Sequence, residues 1–134
     1  MFTASLSWRA GAELVGTYAP VMASCGAIIV NTSTSALTYL GVAFTFGLII
    51  TVMIAATRHL SSAHFNPAVS VAFALSRHFP WRDVPLYIAA QLLGAAGGAL
   101  TLRALFGPVA KLGATLPAGS TFQPFGLEIL SDAA

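Results

Sequence analysis

Residues 61–75 read SSAHFNPAVSVAFAL. An Asn-Pro pair stands directly before an apolar, helix-like run, with a histidine two residues upstream. Pro67 suits the first position of a helix, where its missing N–H leaves no bond unmade. Asn66 is then an N-cap, its side chain serving the free N–H groups of the first turn. The run from Pro67 to Ser76 makes a helix of about 15 Å, roughly half the thickness of a bilayer's hydrocarbon core. What such a half-length helix is for depends on what surrounds it.

The surroundings are those of a membrane. Of 134 residues, 57% are hydrophobic and 7% charged, where a soluble domain carries about 25% charged residues. Mean hydropathy is +0.82. The net charge of +2 comes from six basic and four acidic residues, too few cations for a nucleic-acid surface. Cys25 is the only cysteine and sits in an apolar run, so it reads as a small buried hydrophobe. It offers no internal disulfide and no metal cluster. The opening MFTASLSWRAGAELVG has a single Arg9 and no processing site; it reads as the lead-in to a first membrane helix.

No charge occurs between Glu13 and Arg58, a stretch of 44 residues from Leu14 to Thr57. About 20 residues cross a bilayer as a helix, so the stretch holds two spans. The polar cluster Asn31-Thr32-Ser33-Thr34-Ser35 predicts the turn between them. The expected spans are 9–30 and 38–58. Asn31-Thr32-Ser33 also matches a glycosylation sequon, though a plain loop accounts for it. A re-entrant segment and half-helix follow over 61–76. The loop Arg77-His78-Phe79-Pro80-Trp81-Arg82-Asp83 precedes a third span over 84–105. A Gly-, Pro- and Ser/Thr-rich loop fills 106–124, and a further helix begins over 125–134. Arg9, Arg58, Arg77 and Arg82 fall on one side of alternating spans, with Arg103 and Lys111 on the other. This bias predicts a cytoplasmic N-terminus. Gly94/Gly98, Ala12/Gly16 and Ala43/Gly47 are small-xxx-small pairs that let helices approach closely in lipid, so a tight bundle is expected.

Within such a bundle, the segment 61–65 is non-helical backbone at membrane depth. It survives there only if buried in protein or lining a wet cavity. The half-helix N-terminus then presents free N–H groups and about half a positive charge at mid-membrane. That repels cations and protons, while the Asn66 amide can donate to a passing hydroxyl or water oxygen. The chemistry suits a neutral, hydrogen-bonding solute.

In these motifs the chain resembles the N-terminal half of an aquaporin-type channel, the major intrinsic protein family. The resemblance rests on Asn66-Pro67-Ala68 within Ala63-His64-Phe65-Asn66-Pro67-Ala68-Val69. It rests also on Glu13-Leu14-Val15-Gly16-Thr17 in the first span and Gln91 within Ala89-Ala90-Gln91-Leu92-Leu93-Gly94 in the third. It implies an all-α membrane fold: a half repeat of three spanning helices and one re-entrant half-helix. It implies Asn66 as amide donor at the pore centre, with Pro67 and Ala68 completing the motif. Phe46 would be a narrowing residue of water-selective type, and His64 would line the cytoplasmic vestibule. Glu13 would be a buried acceptor for loop backbone, and Gln91 a further buried polar group. Other readings of the same residues stand beside these. Phe46 also fits lipid-facing or core bulk, His64 a satisfied buried histidine, and Glu13 an (i, i+4) partner of Arg9. Ser62 stands where the family has glycine, and is strained if that position needs a positive φ.

The resemblance implies passive transport of water or small neutral solutes in the plasma or inner membrane, as a homo-oligomer or with a complementary second half. Glu128 in Phe-Gly-Leu-Glu-Ile-Leu echoes Glu13, as if a second repeat begins there. The second Asn-Pro-Ala is absent from these residues, so one copy alone is expected not to conduct. A truncated product, a split-gene half and two copies of opposite orientation all fit. A glycerol-type facilitator and a non-conducting assembly partner are the alternative functions. No nucleophile–base pair, metal-ligand spacing or cofactor motif is visible, so neither an enzyme nor a metal or cofactor site is expected.

Overall fold

The computed structural model describes residues 4–114. It is helical: α1 runs Leu6–Thr34, α2 Tyr39–Ser61, α3 Pro67–Leu75 and α4 Val84–Phe106, with short 3-10 turns at Trp81–Asp83 and Val109–Gly113. α1, α2 and the segment Trp81–Phe106 are each long and apolar enough to cross a membrane. At 1.5 Å per residue, α2 and α4 are each about 34 Å long and α3 about 13 Å. The chain is an all-α protein with three membrane-length helices and one short one. The further helix expected over 125–134, and most of the 106–124 loop, lie outside the described residues.

α1 is longer than the expected 9–30, and the turn expected at Asn31–Ser35 is displaced. Residues 31–34 complete the last helical turn, and Ser35 closes it in a left-handed conformation with φ 53°. The cause is local. Thr32 and Thr34 hydroxyls donate back to the carbonyls of Ile28 and Val30, at 2.8 and 2.7 Å, which keeps their polarity inside the helix. α2 then starts at its own cap, the Thr38 side chain accepting from the Gly41 N–H at 3.2 Å.

α1 packs against both α2 and α4, and α3 packs on α4. α1 and α4 approach closely at Gly94 and Gly98. A Cβ on Gly94 would strike the Leu14 carbonyl oxygen and lie 3.1 Å from the Tyr18 nitrogen; one on Gly98 would lie 3.0 Å from the Tyr18 oxygen. With no hydrophobic drive between helices in lipid, this backbone-to-backbone contact carries the association. Gly16 instead receives the Phe65 ring of the re-entrant loop. Ala43 and Gly47 face outward: Ala43 is exposed, and nothing described lies within 4 Å of a Cβ on Gly47. That small-residue pair, expected to help tighten the bundle, makes no helix contact among the described residues.

Gly94 on α4 and Gly47 on α2 therefore predict different outcomes. Gly94→Val should lower stability by about 1–3 kcal/mol or more through overpacking, while Gly47→Val should leave it nearly unchanged. Thermal unfolding of the purified variants in detergent measures the difference.

Candidate functional site: the re-entrant loop and the cap of the half-helix

Facing stripes of polar residues run down the α1–α4 interface. α1 contributes Arg9, Glu13 and Thr17; α4 and the turn before it contribute Asp83, Tyr87 and Gln91. All six are buried. At the outer end, Arg9 Nη1 donates to Asp83 Oδ2 at 3.0 Å, and Arg9 Nε donates to the Tyr87 hydroxyl at 3.0 Å. The guanidinium also lies 5.5 Å from the centroid of the Phe79 ring. This clamp ties the start of α1 to the start of α4.

One turn deeper, Glu13 is 0% exposed. Its Oε1 accepts from the Ser61 hydroxyl at 2.7 Å and the His64 N–H at 2.9 Å. Its Oε2 accepts from the Phe65 N–H at 2.7 Å and Gln91 Nε2 at 2.8 Å. Four donors converge on one carboxylate, two of them backbone groups that no helix or sheet could satisfy. A buried carboxylate is tolerable only with such pairing.

The loop between α2 and α3 bends sharply around this anion. Ser62, Ala63 and Phe65 have φ of 72°, 55° and 53°, and none is glycine. The position expected to strain a serine does adopt a positive φ. The loop is pinned at further points: Tyr87 donates to the Ser61 carbonyl at 2.9 Å, and the Ala63 N–H donates to Ser61 Oγ at 3.1 Å. The Thr17 hydroxyl lies 3.3 Å from the Phe65 carbonyl.

The cap sits at the bottom of the loop. Asn66 has φ −144° and ψ 131°, and its Oδ1 accepts from the Ala68 N–H at 2.9 Å. Because the Ala68 partner is a donor, the carbonyl half of the amide must face it, and the NH2 half points away. That NH2 has no partner among the described residues, and Asn66 and Ala68 are exposed while Pro67 is partly buried. The distance of the loop from the Arg9 clamp follows from its neighbours. Gly16 and Thr17, which touch Phe65, lie seven and eight residues beyond the Arg9 clamp. That is about 10–12 Å along α1.

His64 and Phe46 are placed differently from Asn66. The His64 residue is 5% exposed. Its ring stacks on Phe73 at 4.8 Å, meets Phe79 edge-on at 4.8 Å and lies 5.2 Å from Tyr87, while Nδ1 is 3.0 Å from the Ser70 hydroxyl. It is enclosed by the chain's own aromatic residues and partnered there. Phe46 is partly buried on α2. Gln91 joins the pieces: Nε2 also donates to Ser70 Oγ at 3.0 Å, linking α4 to the half-helix as well as to Glu13.

Sequence reasoning passed over Ser61, Ser70, Asp83 and Tyr87. Ser70 is the sole polar residue within Pro67–Leu75, a usable signal. Asp83, Tyr87 and Gln91 follow at four-residue spacing, as do Arg9, Glu13 and Thr17. Two polar stripes of that period on membrane-length helices predict facing contacts.

Three membrane-length helices around a strained loop and a half-helix with an open amide cap define an integral membrane protein of re-entrant-loop type. Comparison with known proteins specifies the family. The family model described as Major intrinsic protein matches residues 1–134, and the chain belongs to that family. It is 50% identical over 121 residues to Aquaporin NIP1-1 of Oryza sativa subsp. japonica, an alignment covering 89% of this chain and 43% of the relative. It is 48% identical over 122 residues to Probable aquaporin NIP4-2 of Arabidopsis thaliana, covering 89% and 43%. With Aquaporin NIP6-1 of Arabidopsis thaliana the identity is 42% over 127 residues, covering 94% and 42%. The chain thus spans less than half the length of these relatives.

The geometry predicts opposite responses at two loop positions. Glu13→Gln turns one acceptor into a donor facing donors and should cost about 2–3 kcal/mol or more. Ser62→Gly should relieve left-handed strain and stabilise by about 1 kcal/mol. Melting temperatures of both variants in detergent, against the parent, check the signs.

Proposed function

We propose that this chain supplies one half of a channel for water or small neutral solutes. The pore is completed by a second half, on the same polypeptide or another. The observation that carries the reading is the Asn66 amide: an unpartnered NH2 at the N-terminus of a half-helix, about 10–12 Å below the Arg9 clamp.

The NH2 donates to a solute oxygen, while Oδ1 is held by the Ala68 N–H and keeps the amide oriented. The first turn of α3, exposed at Ala68, adds the positive end of a helix dipole, which raises the energy of a cation or hydronium there. A neutral molecule is spared that cost. Pro67 fixes the chain's entry into the helix, and Ala68 keeps the surface beside the amide small. Phe46, on the half-exposed α2, is proposed as the bulky residue that narrows the path. Enclosure of His64 by Phe73, Phe79 and Tyr87 supports a role in shaping the loop from behind rather than contacting solute. A chain of this family acts in a bilayer, and the basic residues at the α1 start, α2 end and 76–83 loop support a cytoplasmic N-terminus. The exposed outer faces of α2 support an assembly with a second half or further copies.

Stopped-flow light scattering on proteoliposomes tests the reading. Vesicles holding this chain alone should show the permeability of bare lipid. Vesicles also holding the complementary half should shrink at least several-fold faster under an osmotic step. Asn66→Asp places a carboxylate at the neutral site and should abolish most of that gain. Unchanged permeability in the Asn66→Asp vesicles contradicts the assignment of Asn66.

A further inference from the structure

We propose that the end of the molecule formed by the start of α1, the end of α2 and the 76–83 loop is a binding surface for anionic phospholipid headgroups, centred on Arg77. The proposal stands whether or not the chain conducts.

The charge at this end is one-sided. Arg58, His59, Arg77, His78 and Arg82 are all exposed. The two carboxylates among the described residues, Glu13 and Asp83, are both buried and used internally. Glu13 serves the loop and Asp83 holds Arg9. Arg82 Nε lies 3.6 Å from Asp83 Oδ1, yet its side chain is 88% exposed, so its guanidinium remains open to a further partner. Nothing acidic and exposed neutralises Arg58 or Arg77 among the described residues. About 1 kcal/mol of attraction to an anionic surface accrues per such cation, a factor of about five in affinity.

Arg77 is held in an unusual way. α3 ends in a paired 6→1 and 5→2 closure: the His78 N–H donates to the Phe73 carbonyl at 2.9 Å, and the Arg77 N–H to the Ala74 carbonyl at 3.1 Å. This closure puts the residue at Arg77 in the left-handed region, with φ 62°, where glycine is the favoured residue. A long cationic side chain occupies it instead. Ser35 and Ser62, the other left-handed helix ends, are small. The side chain of Arg77 borders an open depression lined by Ala74, His78, Phe79, Pro80 and Trp81. His78 is oriented there by its Nδ1 contact with Ser76 Oγ at 3.2 Å.

The aromatic residues choose between a lipid and a soluble phosphate ester. Trp81 is 55% exposed and Trp8 is 73% exposed, and they are the chain's two tryptophans. The Arg9–Asp83 pair brings their segments together at one end. Exposed tryptophans rest at the headgroup level of a bilayer, with the ring in the acyl boundary and the N–H in the polar layer. A guanidinium at that level meets a phosphodiester in the two-pronged geometry that suits it. A soluble ester would gain the charge contact but nothing from the rings.

The same tryptophans report the result. The full chain is reconstituted in phosphatidylcholine vesicles containing brominated phosphatidylglycerol or, separately, brominated phosphatidylcholine at equal fraction. Quenching of tryptophan emission gives the relative affinity. Brominated phosphatidylglycerol should be favoured about fivefold or more. Arg77→Gly removes the cation while suiting the left-handed backbone, so helix content should hold, the melting temperature should hold or rise, and the preference should fall several-fold. Equal quenching by the two lipids overturns the proposal. So does an undiminished preference in the Arg77→Gly protein, and so does loss of the preference on adding millimolar glycerol phosphate, which marks a soluble-phosphate site.

Discussion

The carboxylate of Glu13 is the constraint on which the rest depends. Without it, two backbone N–H groups of a non-helical loop would be buried with no partner. Residues 62, 63 and 65 pay for their left-handed conformations at roughly 1–3 kcal/mol each, or roughly 3–9 kcal/mol together. Four hydrogen bonds to a carboxylate return roughly 1.5–3 kcal/mol each, or roughly 6–12 kcal/mol. The bonds are of the size needed to offset the strain, so the loop's path depends on the anion. The direction of the half-helix and the aim of the Asn66 amide follow from that path. Glu13 thereby fixes where the Asn66 amide stands.

The loop is fixed by an extended network rather than by one residue. Asp83 holds Arg9, Arg9 and Tyr87 are joined, Tyr87 reaches Ser61, and Ser61 reaches Glu13. From Glu13 the connections pass through Gln91 to Ser70 and on to His64. Each of the four helices contributes at least one member. In lipid no water competes for these groups, so every break leaves a polar atom stranded. The Gly94 and Gly98 contacts are the apolar counterpart: they bring α1 and α4 close enough for Arg9 to reach Tyr87 and Glu13 to reach Gln91. Polar network and glycine seam therefore depend on each other.

Much of this was legible along the chain because it is local. Asn66-Pro67 announces a cap and a first helical residue, and the charge-free stretches announce spans. The family's motifs pointed to Glu13 and Gln91. What local sequence does not encode is long-range. Arg9 and Asp83 are 74 residues apart, and nothing in either neighbourhood names the other. Asn31–Thr34 looks like a turn by composition, whereas threonine hydroxyls bonding back one turn make it helix. Ala43/Gly47 matched the same pattern as Gly94/Gly98, but a spacing rule does not tell an inward face from an outward one. The aromatic cage around His64 is likewise long-range, since it comes from three residues spread over Phe73 to Tyr87.

The measurement that bears most directly on this account is the membrane depth of the cap. A nitroxide attached at Ala68→Cys, in a Cys25→Ser background, can be compared with one at His78→Cys by power saturation with oxygen and a water-soluble nickel chelate. The two positions are separated by most of the half-helix. The account predicts a label at residue 68 near the bilayer centre, about 10 Å or more deeper than the label at 78. Equal depths at the headgroup level would mean that α3 lies along the surface, and the proposed pore-lining role of Asn66 would be wrong.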